Sequence, residues 1–281
     1  YPFVMSLNYF PSRLRKVQTQ NISLPFVDKL LDALYAIADV TVEIAQPYLP
    51  YTYVGRGPMD TGNNEQDPFA LAASQQRRTI YPIGRFRTVL NHFSFREALR
   101  NGHIITCHRI ALYERDRLFT RWVADLWSRR ARAQLHGNRI YAAVWKKLLN
   151  SLYGKFGQRV REVTQRYDCS PNEFRAGIVY SSEGKQIEWR CFGAATRFGA
   201  MRAISRDSFV GIAGAVTELA RLYLWQLLTT AGTEHVYYCD TDALIVDADG
   251  KERLREYWGD GLGQLKTEAT GDYLQVRAAK D

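Results

Sequence analysis

The sequence predicts an α+β protein in which helices and strands are grouped rather than alternated. Three observations point there. Two long helical patterns, about 117–135 and 139–155, follow one another with only Gly137-Asn138 between them. Residues 163–205 are β-rich and irregular. A helical pattern at about 209–230 then runs into two short β-rich segments, 235–239 and 243–247.

The elements before these are shorter. Residues 26–39 are predicted as a helix and 40–46 as a strand. Residues 54–78 hold Gly55, Gly57, Pro58, Gly62, Asn63, Asn64 and Pro68 without hydrophobic periodicity, and are read as a loop. Ser94 and Glu97 have the spacing of a capping box, and Asn101-Gly102 would close that short helix. A strand at 103–113 follows. The two long helical patterns make an antiparallel hairpin if their turn is as short as it reads.

A chain of 281 residues with 46% hydrophobic and 24% charged residues can bury a substantial core. The most apolar stretch, 209–232, carries Glu218 and Arg221 in its middle and reads as a buried helix rather than a membrane span. No secretory leader is recognisable at the start. Cys107, Cys169, Cys191 and Cys239 have no zinc-ligand spacing and are expected as reduced thiols of an intracellular protein.

The net charge of +9 is concentrated. Between Arg121 and Arg161 stand ten basic residues and one acid, Asp125, so this stretch alone carries the whole excess. Trp122, Trp127, Tyr141, Trp145, Tyr153 and Phe156 are interleaved with them. A one-sign run is either a solvated helix face or a surface for a polyanion, and the aromatics favour nucleic acid or a nucleotide triphosphate.

Two acids stand in the segment Tyr237-Tyr238-Cys239-Asp240-Thr241-Asp242-Ala243. Residues i and i+2 of a strand share a face, so Asp240 and Asp242 could converge. Two carboxylates that close repel unless a cation lies between them, which favours a divalent ion. The alternative is an Asp-rich turn in which the acids only stabilise backbone. A calcium loop over 245–256 is excluded, because Ile245 would occupy its first ligand position.

On the helix at 139–155, Lys146, Asn150 and Tyr153 share one face, while Tyr141, Trp145, Leu148, Leu149 and Leu152 cover the other. An ammonium, an amide and a ring in a row could hold phosphate, sugar and base. The same pattern also suits an ordinary amphipathic helix.

Together these residues resemble the family B DNA polymerases, in their protein-primed branch. Residues 146–154 fit the fingers pattern K-x-x-x-N-S-x-Y-G, and 238–242 fit the palm pattern Y-x-D-T-D. Tyr1-Pro2 looks like the tail of the earlier palm pattern D-x-x-S-L-Y-P, whose Asp would lie five residues before Tyr1. Thr217, Ala220 and Arg221 fit T-x-x-A-R, and Lys280 fits the start of K-x-Y. Ala243 and Gln134 depart from the family, which usually has Ser at the first position and commonly a second triphosphate-binding Lys at the other.

The resemblance implies a palm, an antiparallel sheet with helices, carrying a helical-hairpin fingers insertion. Residues 1–30 would begin the palm, and 31–116 would be an insertion like the terminal-protein region. Residues 117–160 would form the fingers, 161–205 a second insertion, and 206–281 the rest of the palm. An exonuclease domain and a thumb are expected outside this chain. Asp242 and Asp240 would hold two Mg2+ ions, or Mn2+ in their place. Lys146 and Arg130 would neutralise the triphosphate, Asn150 would orient the nucleotide, and Tyr1 would pack beneath the sugar and exclude a 2′-hydroxyl. Tyr153 and Gly154 would lie against the nascent base pair. Thr217, Arg221 and Lys280 would hold template and primer. The implied partners are a DNA template-primer, dNTPs and a terminal priming protein, with no membrane. Two other readings remain open here. One is a nucleic-acid-binding segment without turnover, and the other is a reverse transcriptase or RNA polymerase, which the N-S-x-Y-G helix disfavours.

Overall fold

The computed structural model describes residues 1–51, 81–168, 174–180, 182, 186–192, 194–204 and 208–275. The loop read at 54–78 and Lys280 lie outside them, as does Cys169. The chain divides into two compact units, one of Tyr1–Asn150 with Ala215–Asp281 and one of Ser151–Gly214.

The first unit opens with helix α1 (Pro2–Leu7), strand β1 (Phe10–Gln18), helix α2 (Leu24–Leu30) and strand β2 (Tyr35–Ile44). Then come β3 (Gly84–Asn91), α3 (His92–Arg100) and β4 (Ile104–Asp116). The four strands form an antiparallel sheet in the order β1-β4-β2-β3. Helices and strands are grouped as the sequence predicts.

The predicted helix at 26–39 is too long. It ends at Leu30, and β2 has begun by Tyr35. Period-2 burial wins there: Ala36, Ala38, Val40 and Val42 are fully buried, while Ile37, Asp39 and Thr41 are not. The buried set packs with Phe86, Leu90, Ile110 and Leu112 of the flanking strands and with Val27, Phe95 and Ala98 of α2 and α3. On the other face, Arg87 forks onto Asp39 (2.8 and 2.9 Å), and the guanidinium lowers the Asp39 pKa.

The capping box at Ser94 and Glu97 is not formed. The helix starts two residues earlier, at His92, so Ser94 falls inside its first turn and is fully buried. Its cap comes from far along the chain: the Glu218 carboxylate accepts from the backbone N–H groups of Asn91 (2.8 Å) and Ser94 (3.1 Å). The closing turn is as predicted. Gly102 has φ +68°, Gly102 N–H donates to Leu99 O and His103 N–H to Ala98 O.

Helices α4 (Thr120–Leu135) and α5 (Arg139–Phe156) follow, and α5 ends in the second unit. That unit holds β5 (Arg159–Asp168), β6 (Phe174–Tyr180), β7 (Gln186–Phe192) and β8 (Ala194–Ile204) in one antiparallel sheet, ordered β5-β8-β7-β6. Cys107 and Cys239 are free, but Cys191 is disulfide-bonded, which corrects the expectation of a reduced thiol there.

Helix α6 (Val210–Ala231) leads back into the first unit, to β9 (Val236–Asp240), β10 (Ala243–Val246) and α7 (Ala248–Arg253). His235 closes a short 3-10 turn rather than starting the strand. Among the described residues no helix is long and apolar enough to cross a membrane.

His92 gives a test of the first core. It stacks on Tyr35 (4.9 Å) and its Nδ1 accepts from Ala36 N–H (3.4 Å). Burial, helped by Arg115 and Arg96, lowers its pKa from 6.5 to about 4. The unfolded chain therefore takes this proton at a higher pH than the folded one. Stability from this group is full above pH 6.5 and is lost as pH falls toward 4, by up to ~1.4 kcal/mol per pH unit. Urea unfolding between pH 7 and 4 should show a steeper decline in the wild type than in His92→Gln. Parallel curves would mean that His92 is not held neutral.

Candidate functional site

The two acids stand at a hairpin whose strands are fixed from below. Leu244 and Val246 of β10, with Val236 of β9, pack on Leu227 and Ala231 of α6 and on Leu254, Tyr257 and Leu265. Cross-strand pairs put Ala243 opposite Asp240 and Leu244 opposite Cys239. Thr241 and Asp242 are then the only turn residues.

The turn is tight. Asp242 N–H donates to Asp240 O at 2.5 Å, two residues back, with Thr241 at φ +52°. Positive φ is costly for a β-branched residue, and such strain clusters at functional sites. The Thr241 hydroxyl donates to Asp240 Oδ1 (2.8 Å), fixing that carboxylate. Asp242 is exposed and Asp240 is partly buried. Asp242 thus lies in the turn itself, so the strand alternation that suggested a shared face does not apply to it. Tyr1 is partly buried at the N-cap of α1, where its carbonyl accepts from Met5 N–H (3.1 Å). Burial and the Asp240 charge raise the Cys239 pKa.

The helical hairpin is anchored at its base. Thr120 Oγ1 donates to Ser6 O of α1 (2.8 Å), and Phe119 meets Phe10 edge-on at 5.0 Å. Its turn is dictated by Gly137-Asn138. Gly137 has φ +68°, Asn138 N–H donates to Ala133 O, and Asn138 Oδ1 caps α5 by accepting from Tyr141 N–H (3.1 Å).

Between the two helices, near this turn, is a cavity of about 460 Å³ lined by Arg130, Gln134, Gly137, Arg139, Ala142, Ala143 and Lys146. Arg130 also lies over the Trp127 ring (5.2 Å). The acid of the basic stretch is already engaged: Asp125 bridges Arg129 (2.9 Å), and Arg129 covers Trp145 (5.6 Å).

Asn150 is exposed and Tyr153 is half-buried on the same helix. A Cβ on Gly154 would meet nothing within 4 Å. The apolar side of α5 is less covered than its pattern suggested: Leu149 is buried, but Tyr141 is 57% and Leu148 43% exposed.

Thr217 and Arg221 are one turn apart on α6, both partly buried. Arg221 Nε is buried without a hydrogen-bond partner, and the Arg221 charge acts on the buried Glu218 carboxylate. Burial still dominates and raises the Glu218 pKa.

The structure therefore brings Arg130 and Lys146 to one cavity. Two residues were missed by the sequence reading. Arg139 could have been found, since it stands seven residues before Lys146 on the same face. Glu218 had no local signal, because its partners are more than 120 residues away.

The sequence profile of the family described as DNA polymerase type B, organellar and viral, matches residues 1–186. The chain belongs to this family. It is 27% identical over 162 residues to the DNA-directed DNA polymerase of Enterobacteria phage PRD1, covering 58% of this chain and 28% of that one. A probable DNA polymerase of Neurospora intermedia is 25% identical over 264 residues, 89% of this chain and 24% of the relative. The chain thus spans about a quarter of the length of these curated polymerases. Its fold is similar to that of Phi29 DNA polymerase, solved in complex with primer-template DNA, with a TM-score of 0.54 at 14% identity. That match covers 94% of this chain and 40% of the other.

Glu218 sits inside the T-x-x-A-R segment, so its role can be separated from that of its neighbours. Glu218→Ala would leave two buried N–H groups without an acceptor and should cost about 2–3 kcal/mol. Glu218→Gln keeps one acceptor oxygen and should cost roughly half as much. Thermal unfolding followed by circular dichroism measures both. Equal melting temperatures for Glu218→Ala and wild type would contradict the capping role.

Proposed function

We propose that this chain carries the nucleotide-addition site of a DNA polymerase that extends a primer 5′ to 3′ on a template, with a terminal protein as natural primer. The observation that carries this is the acid pair at the β9–β10 turn, in a chain of this family.

The donors suit a hard divalent cation, since both are carboxylates and Asp242 is exposed. Among the described residues no group of three or more His, Cys, Asp or Glu forms, so Asp240 and Asp242 supply part of a ligand set. They would hold Mg2+, or Mn2+ in its place, whose chemistry is to stabilise the attacking 3′ oxygen and the leaving pyrophosphate.

The chain's own residues position the reactants. Arg130 and Lys146 neutralise the triphosphate, supported by their common cavity. Asn150 orients the nucleotide, and Tyr1 lies under its sugar. Tyr153 and Gly154 face the new base pair, and the open space at Gly154 suits that role. Thr217, Arg221 and Lys280 hold the strands. In this reading 1–30 and 206–281 are palm, 117–160 fingers, and 31–116 and 161–205 insertions. The partners are template-primer DNA and dNTPs, at an intracellular site of replication.

A segment that binds nucleic acid without turnover is separated by primer extension, run with the chain and with any longer polypeptide that contains it. Asp242→Asn should lower extension by about a thousandfold or more, and Asp240→Asn by less, because a ligand charge is lost without loss of fold. Full activity in Asp242→Asn would contradict the proposal. Tyr1→Val should raise ribonucleotide use about a hundredfold, as a clash of roughly 3 kcal/mol is relieved. The kcat/KM ratio for dNTP over rNTP reads this directly, and an unchanged ratio would place Tyr1 in the core rather than under the sugar.

A further inference from the structure

The cavity between α4 and α5 holds more cationic charge than the two residues assigned to it. Arg130 and Lys146 line it, but so does Arg139, and none of its lining residues is acidic. Asp125, the acid of this stretch, is occupied by Arg129. The remaining lining is Gln134, an amide, and Gly137, Ala142 and Ala143, which keep the space open.

The helix geometry orders these groups along the cavity. Residues 139, 142, 143 and 146 follow the i, i+3, i+4, i+7 spacing of a single helix face. The contact of Arg129 with the Trp145 ring sets the level of one helix against the other, so Arg130 and Lys146 stand side by side. Arg139 stands nearer the turn, seven residues and about 10 Å of helix rise from Lys146. A phosphate chain held by Arg130 and Lys146 that extends toward the turn meets Arg139 next. Arg139 itself is exposed, so its side chain is available to a ligand.

We propose that Arg139 is a third phosphate-binding residue of this cavity and that it reads the length of the phosphate chain, favouring a triphosphate over a diphosphate. This rests on the nucleotide-addition reading above and deepens it. The planar guanidinium gives two parallel donors to a terminal phosphate, which a lone ammonium cannot.

The test is titration calorimetry of the chain with sodium tripolyphosphate, pyrophosphate and a single-stranded 20-mer, at fixed salt. Arg139→Ala should lose about tenfold in tripolyphosphate affinity, the loss expected for one charge-assisted contact, with little change for pyrophosphate. Arg139→Lys should fall between, and Lys146→Ala should weaken both phosphate ligands. Circular dichroism checks that each variant keeps its helix content. Wild-type tripolyphosphate affinity in Arg139→Ala, with loss in Lys146→Ala and Arg130→Ala, overturns the role of Arg139 and leaves the polymerase reading standing. If all three variants bind tripolyphosphate like wild type, the cavity is not a phosphate site and both readings of it fail. If Arg139→Ala loses only the oligonucleotide, Arg139 serves a nucleic-acid backbone, and the inference is overturned.

Discussion

Glu218 is where the helix that leads to the acidic hairpin is fastened to the four-stranded sheet. Glu218 is 3% exposed, and its carboxylate accepts two backbone N–H bonds at the start of α3, a helix that packs on the buried face of β2 and β3. Burying a carboxylate is expensive unless its oxygens are satisfied. The helix terminus supplies both donors and a favourable dipole. Burial raises the pKa values of Tyr35, Tyr48 and Tyr51, and the Glu218 charge adds to the rise in each. This is a charge held in an aromatic surround. Downstream, α6 ends at Ala231, Gly232 turns the chain at φ +87°, and β9 begins four residues later. Where α6 is seated therefore decides where Asp240 and Asp242 come to stand.

The helical hairpin solves a different electrostatic problem. Its basic side chains repel one another, and Asp125 relieves only Arg129. Aromatic faces take part of the load, with Trp145 under Arg129 and Trp127 under Arg130. Three of the cations, Arg130, Arg139 and Lys146, line one cavity. A cavity that concentrates cations is less stable alone than with an anion bound, and that is the physical basis of the proposed phosphate site.

Much of this was legible in the chain. The hairpin turn was readable because Gly137 and Asn138 each have one strong local role, the first as a left-handed terminator and the second as a cap. The acid pair was readable for its position at a turn, although Asp242 proved to lie in the turn and not on the strand. Local signals misled where tertiary contacts overruled them. Ser94 and Glu97 have the right spacing for a capping box, yet the real cap comes from Glu218, which no local pattern could reveal. The stretch 35–39 contains two alanines and looked helical, but alternate burial drew it into the sheet. Leu148 and Tyr141 read as the covered side of an amphipathic helix, whereas the structure leaves both largely exposed.

A nucleotide held along α5 by its phosphates is the core of the proposed function, and labelling by an azido-dATP analogue in the presence of Mg2+ tests it. The labelled peptide is expected to lie within α5, tripolyphosphate to compete the label away, and Lys146→Ala to abolish it. Labelling spread over the β1-β4-β2-β3 sheet, or unaffected by Lys146→Ala, would contradict it.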